Sequence, residues 1–381
     1  MAKNKWMERL AKHDAARQWD YNPFANILRF SSPAMNWLFG NTHGLPKGYP
    51  IIIFGPEHSG KTLFCYDLIS QLHQDDPEAI AVRFDTEMRD EAQLTPAKAA
   101  IYGIDINRYM PMLTNDSEEI FDYIEKELRV MLQDGAPIKL IIIDSITNVI
   151  GRRAAEAKTI GKQVIGDSSL TQQEGLQRMQ RLMHKYRVSL VLTAQVRSEF
   201  DPTEKMRTGL DYKMAGGWFL KHLGGYVLHV APNKNKAGRE SLSGVKLEDE
   251  SMKDGLGHAD RTGHKIRARM RGNSYGPKNR TVEVTFDYNK GFINRHEDIF
   301  QLAIERGLVD RPTNTKYVVE DYPAAGKQSF WMGMDKFLKG LADDEELQKF
   351  LVTKLRSQDI DLMNKGPNSA FFKAEETHED E

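Results

Sequence analysis

The sequence predicts an α/β protein built on a mostly parallel central sheet. Three observations predict it. Several short runs are largely apolar without alternation, among them Ile51 to Phe54, "IKLIIIDSI" over 138–146 and "VSLVLTAQV" over 188–196. A strand without apolar–polar alternation is buried on both faces, as the strands of a parallel sheet are. Segments of helical period lie between these runs, the alternation that places helices on both faces of such a sheet. The first run also passes through a glycine-bracketed loop into a helix, "IIIFGPEHSGKTLF" over 51–64.

The elements follow in order. Residues 1–20 read as a short charged helix with Trp6, Met7 and Leu10 on its apolar side. A free helix of that length is marginal in water, so it is expected to dock on a neighbouring subunit. Residues 21–49, with Pro23, Pro33 and Pro46, read as a linker and lead-in. "AIAVRFDTE" (79–87) is a strand. "SEEIFDYIEKELRVML" (117–132) is a helix opening at Ser117 with acids in its first turn. A strand over 138–146, a helix over 170–187 and a strand over 188–196 come next. "GGYVLHVAPN", "HKIRARMRGN" and "TVEVTFDYNKGFI" continue the sheet. A smaller helical unit starts near Glu297, and the final "EETHEDE" holds five acids in seven residues, a composition expected to be disordered. The expected organisation is a docking helix and linker over 1–45 and an α/β core over 46–296. A small C-terminal α/β or helical domain over 297–368 and an acidic tail over 369–381 complete it. No internal repeat is visible.

Composition narrows the classes. The 381 residues carry 53 Lys and Arg against 54 Asp and Glu, a net charge of −1, so only local charge can speak for a polyanion partner. The single cysteine, Cys65, excludes an intrachain disulfide framework and suits a reducing cytoplasm. No apolar run approaches the ~20 residues of a membrane span, and the N-terminus has no apolar h-region of a secretory signal.

The loop carries the first chemistry. Gly55, Pro56, Glu57, His58, Ser59, Gly60, Lys61 and Thr62 fit G-x-x-x-x-G-K-[ST] in its strand–loop–helix setting. The glycines let backbone N–H groups approach an anion. Lys61 places a positive charge at the β- and γ-phosphates of ATP, and the Thr62 hydroxyl is a Mg²⁺ ligand. The following helix presents its N-terminus to the phosphates. Asp144 ends an apolar strand on the edge where open parallel sheets bind ligands, and is the second residue expected to serve the metal. Glu87, just past another strand end, is the candidate to activate the attacking water. Gln195, at a fourth tip, can contact both water and γ-phosphate. Lys61, Glu87 and Gln195 are therefore the candidate catalytic residues.

"GLPKGYPIIIFGPEHSGKT", "DTE", "IIIDSIT", "GDS" at 166–168, "TAQVR" and "GGWFLKHLGGYVLHV" together resemble the RecA-like recombinase family, bacterial and phage-encoded. The resemblance runs in order from about residue 30 to residue 310. It implies a RecA-type P-loop ATPase core that hydrolyses ATP with Mg²⁺. The implied activity is a DNA-dependent ATPase that polymerises as a helical filament on single-stranded DNA and exchanges strands with a homologous duplex. The implied location is the bacterial cytoplasm, as a cellular or a phage protein.

Two long segments follow the third and fourth strands, where the family has its DNA-binding loops. Residues 151–168 hold Arg152, Arg153, Lys158 and Lys162. Residues 197–217 hold Phe200, Met206 and the pair Gly216 and Gly217. Loops of ~20 residues without clear periodicity are usually functional or disordered. Basic groups hold phosphates and an apolar side chain can wedge between bases. The resemblance adds Arg178, Val196 and Arg197 to the expected DNA contacts.

"HKIRARMR" puts Lys265, Arg267, Arg269 and Arg271 on one strand face and Ile266, Ala268 and Met270 on the other. Like charges so placed repel unless an anion is near. By resemblance, Arg269 and Arg271 reach the ATP of an adjacent subunit, with Asn273 standing where the family has a second lysine. The acidic tail reads either as a solubiliser or as a DNA mimic that recruits single-strand-binding and mediator proteins. Two rival functions use the same core: a hexameric ring helicase, for which the ~45 residues before the phosphate loop are short, and a paralogue that binds ATP and loads other proteins.

Overall fold

The computed structural model describes residues 27–40, 43–151, 167–216, 220, 223, 225–232, 263–274, 276–287, 291–293, 295–320, 322 and 329–364. The expected N-terminal helix, the loop with Arg152 and Arg153, Gly217 and the acidic tail lie outside the described residues.

β1 (Ile27–Leu28) pairs antiparallel with β2 (Leu45–Pro46), with α1 (Pro33–Trp37) between them. Ser32 caps α1 by accepting from the Met35 N–H, and Pro33 occupies the first helical position, where its missing N–H costs nothing. Phe30, Met35, Leu38, Phe39 and Leu45, all in the stretch read as linker, are buried in the main core.

The central unit then runs β3 (Pro50–Phe54), α2 (Lys61–Asp75), β4 (Ile80–Asp85), α3 (Asp90–Gln93), α4 (Pro96–Tyr102) and β5 (Tyr109–Leu113). One helical run follows: α5 (Ser117–Tyr123), a π-helical turn over Ile124–Leu128, and α6 (Arg129–Gln133). Its cap is Asp116, one residue before the expected start, accepting from the Glu119 N–H at 3.1 Å. β6 (Ile138–Asp144), α7 (Asp167–Tyr186) and β7 (Ser189–Ala194) complete the alternation.

Residues 196–214 depart from the expected irregular loop. β8 (Val196–Ser198) and β9 (Tyr212–Met214) form a small antiparallel hairpin with α8 (Pro202–Thr208) across its tip. Asp201 caps α8, Pro202 starts it, and Gly209 ends it in the left-handed region. That Asp-Pro…Gly pattern is a helix start and stop in miniature.

β10 (Tyr226–Pro232), β11 (Gly263–Asn273), β12 (Thr281–Asp287) and β13 (Gly291–Ile293) close the large sheet. Its order is β13-β12-β11-β10-β3-β7-β6-β4-β5. From β10 to β5 neighbours are parallel, and β11, β12 and β13 join antiparallel. Alternate residues of the apolar strands serve opposite faces. Ile51, Ile53, Leu140 and Ile142 enter one core with α2; Ile52, Phe54, Ile141 and Ile143 enter the other with α5 and α7.

The C-terminal part is not purely helical. α9 (Arg295–Glu305) is followed by a three-stranded antiparallel sheet of β14 (Asp310–Thr313), β15 (Lys316–Val318) and β16 (Phe330–Met332), then α10 (Met334–Asp343) and α11 (Glu345–Asn364). Phe300, Tyr317, Trp331, Phe337 and Leu347 pack in their own cluster. The strands are three or four residues long and largely exposed, too short to show a period of two.

Candidate active site

The sheet order places β3, β7, β6 and β4 side by side. Their carboxyl ends therefore bring the phosphate loop, Gln195, Asp144 and Glu87 into one cleft of about 520 Å³. That size suits a small-molecule ligand. Lys98 and Tyr102 also line it.

The loop is built by close approach. A Cβ on Gly55 would lie 1.9 Å from the Val230 carbonyl oxygen, so only glycine fits there. Gly60 has φ +84° and turns the chain into α2. Ser59 is fully buried, and its Oγ has no hydrogen-bond partner. The Lys61 ammonium folds back onto the loop, donating to Gly55 O at 3.1 Å and Pro56 O at 2.8 Å. Burial holds this ammonium below its ordinary pKa, against the opposite pull of Asp144, Glu87 and Glu57. A phosphate in the loop would give the lysine the anion it lacks and Ser59 an acceptor.

Thr62 Oγ1 donates to Asp144 Oδ2 at 2.8 Å, and Thr193 Oγ1 donates to Asp144 Oδ1. Among the described residues no group of three His, Cys, Asp or Glu side chains could hold a metal alone. A hydroxyl, a carboxylate and a phosphate cradle do fit Mg²⁺, which takes one or two protein oxygens and fills its shell with phosphate and water. Thr62 and Asp144 are the residues that would hold it.

Glu87 sits in a hydrogen-bonded group. Its Oε1 accepts from Gln195 Nε2 at 3.0 Å and Asn148 Nδ2 at 3.3 Å, and its Oε2 pairs with Arg89 at 2.9 Å. The Gln195 backbone N–H donates to Thr147 Oγ1 at 3.1 Å. Residues 146–148, a single 3₁₀ turn after β6, thus reach the β4 and β7 tips.

Sequence reasoning missed Arg83, which lies beneath this group. It is 1% exposed. Nη1 donates to Asp90, and Nη2 donates to Asp144 Oδ2 at 2.8 Å and lies 3.6 Å from Asp85. Tyr66 and Tyr109 hydroxyls donate to the same Asp90 oxygen at 2.9 and 2.7 Å. The Asp85 carboxylate accepts from the backbone N–H groups of Glu87, Arg89 and Asp90. One visible signal existed: a charge inside the otherwise apolar "AIAVRFD". Asn148 had no comparable signal.

The other expected residues separate into groups. Val196 lines the cleft. Arg197 lies on β8 and is exposed; Phe200 and Met206 are 85% and 87% exposed at the hairpin tip. Gly216 has φ +106° just after the hairpin. Arg178 is elsewhere, on an exposed face of α7 in a groove with Arg129, Arg181 and Lys185. Arg269 and Arg271 are not among the cleft-lining residues of their own chain.

On β11 the expected alternation holds through Met270, since Ile266, Ala268 and Met270 are fully buried. Arg267 pairs with Glu283 at 2.8 Å, Arg269 Nη2 donates to Asn279 at 3.3 Å, and Arg271 Nη2 donates to Thr208 O at 3.0 Å. The Nε atoms of Arg269 and Arg271 are buried without partners. A register shift opposite Val227/Leu228 breaks the alternation after Arg271. Asn273 is therefore turned inward, donating to Phe39 O and Pro277 O, and has a structural role. His229 pairs with Arg269 in register and meets Tyr212 of the hairpin, Nε2 to Oη, at 2.8 Å.

A phosphate loop on β3 with an acid, an amide and a second acid on the neighbouring tips defines a RecA-type α/β core. A sequence model of the RecA N-terminal domain matches residues 25–244, and the chain belongs to the RecA family. Similar proteins include Protein RecA of Mycoplasma mycoides subsp. mycoides SC, 25% identical over 75% of this chain and 73% of that one. Protein RecA of Thermotoga maritima is 22% identical over 83% and 78%, and that of Streptomyces ambofaciens 23% over 90% and 83%. Among the described residues no helix is long and apolar enough to cross a membrane.

Proposed function

We propose that this chain is an ATP-dependent homologous recombinase: it polymerises on single-stranded DNA and catalyses pairing and strand exchange with a homologous duplex. The observation that carries the reading is the 3.0 Å hydrogen bond between Glu87 and Gln195. Gln195 is followed immediately by the hairpin whose tip exposes Phe200 and Met206, so the water-activating position and a DNA-type surface share one link.

The roles follow from placement. Backbone N–H groups of Glu57–Thr62 and the Lys61 ammonium bind the phosphates of ATP. Thr62 and Asp144 would hold Mg²⁺, which would supply charge neutralisation for the phosphates. Glu87 orients and deprotonates the attacking water. Gln195 leaves Glu87 when it meets the γ-phosphate, and the hairpin moves with it. Arg269 and Arg271 bring positive charge to the ATP of the next subunit, as a trans arginine does in phosphoryl transfer. Arg152, Arg153, Arg178, Arg197, Gly216 and Gly217 contact DNA, with Val196 and Phe200 beside the bases. The acidic tail meets single-strand-binding and mediator proteins in the bacterial cytoplasm.

Negative-stain microscopy of the protein with single-stranded DNA and a non-hydrolysable ATP analogue tests the reading. Helical filaments are expected. Closed rings would make it a helicase, and DNA-free monomers a loading paralogue.

A further inference from the structure

We propose that Arg83 is a positioning residue that shares its charge with Asp144, so that Mg²⁺ is held only jointly with the nucleotide's phosphates and not by the protein alone. The inference rests on the nucleotide-site reading above and adds a residue to it.

Three observations carry it. First, the guanidinium is buried among three carboxylates, those of Asp144, Asp90 and Asp85. A buried ion pair interacts far more strongly than an exposed one, because little water screens it. Second, Arg83 Nη2 and Thr62 Oγ1 donate to the same Asp144 oxygen, both at 2.8 Å, while Thr193 takes the other oxygen. Three donors already share the two Asp144 oxygens, and one of those donors is positive. Third, the arrangement spans the site. Arg83 joins the β6 tip with Asp144 to Asp90 and Asp85, and Asp85 holds the backbone of the Glu87 segment through three N–H bonds. The same guanidinium thus fixes the metal-side carboxylate and the turn that carries the water-activating one.

The consequence is a weak protein-only metal site. A bare carboxylate beside a hydroxyl at the floor of a cleft would attract a divalent ion without nucleotide. With a guanidinium 2.8 Å from its oxygen, Asp144 attracts a cation less than a bare carboxylate would, and the phosphates must supply the remainder. Metal and nucleotide therefore bind as a unit.

The test uses Mn²⁺ as the probe, read by the free-ion electron paramagnetic resonance signal, in full-length protein without nucleotide. Wild type is expected to take up no Mn²⁺ at the site in the micromolar range. Arg83→Met keeps an unbranched apolar stem and removes the charge, and should take up one Mn²⁺ that is lost again when Asp144→Asn is added. Because Arg83→Met leaves Asp90 without its cation, the double variant Arg83→Met/Asp90→Asn removes both buried charges and carries the same test if the single one does not fold. Binding of a fluorescent non-hydrolysable ATP analogue gives the second readout. The Mg²⁺ concentration at half-maximal binding should fall about tenfold in either variant. Arg83→Lys, which keeps the charge but loses the fork, should stay within about twofold of wild type. A simple packing role would shift Arg83→Lys and Arg83→Met alike. Equal shifts, an unmoved Mg²⁺ midpoint, or tight Mn²⁺ uptake by wild type overturns the inference. Absence of any nucleotide binding by wild type would instead remove the function proposed above.

Discussion

Glu87 is a carboxylate with three partners. Gln195, Asn148 and Arg89 hold it in place, so its substitution should change chemistry more than binding. Glu87→Gln is expected to bind the ATP analogue as wild type does and to hydrolyse ATP about 100-fold more slowly. A matched loss of analogue affinity, measured by fluorescence titration, would make Glu87 structural. His229 makes a different kind of prediction. Burial first, then Arg271 and Arg269, press its imidazole pKa down to about 4. The unfolded chain keeps it near 6.5 and so binds more protons below that pH. The fold therefore loses stability from this group as pH falls from about 6.5 towards 4, by about 2 kcal/mol between pH 7 and pH 5. Urea midpoints at the two pH values should differ more for wild type than for His229→Gln, which has no proton to gain. Equal slopes would show that the ring is not held neutral.

The elements show what a sequence can and cannot convey. The strands of the central sheet were legible because double-faced burial leaves unbroken apolar runs, and the tips were legible because each run ends in a polar residue, Asp144 or Gln195. The hairpin over 196–214 was not, since three-residue strands carry no period, although Asp201-Pro202 and Gly209 mark its helix. Arg83 could be seen as odd but not explained, because Asp90, Asp144 and Tyr109 reach it only in three dimensions. Helix packing supplies a further case. Gly175 lies inside α7, where alanine is ordinarily the better helix former by up to about 1 kcal/mol. A Cβ there would stand 2.3 Å from the Phe121 ring of α5. Gly175→Ala should therefore destabilise by about 1–3 kcal/mol, the usual result of overpacking. Phe121→Leu in the same chain should recover part of that loss in a denaturant melt. A stabilised Gly175→Ala would show that the two helices separate easily.

At the level of the molecule, the proposed DNA partner makes the distribution of charge matter. The chain is close to neutral, with 53 basic against 54 acidic residues, yet five acids are concentrated in its last seven positions. A tethered acidic segment competes at a high effective concentration, on the order of millimolar for a flexible linker. Deleting residues 375–381 is expected to tighten duplex binding several-fold and leave ATPase on single-stranded DNA little changed. Labelled duplex titrated into both forms at one fixed salt concentration decides it, because salt alone moves such affinities. Superimposable curves would leave the tail as a solubiliser.

Phe200 and Met206, nearly bare at the hairpin tip, have a consequence for the protein in a test tube. Salts excluded from protein surfaces strengthen apolar association, and patches of this kind are where it starts. The free chain should thus be colloidally fragile, salting out at lower ammonium sulfate than a Phe200→Ser/Met206→Ser form of equal thermal stability. Oligonucleotide added beforehand should close most of that gap, by covering the same two side chains.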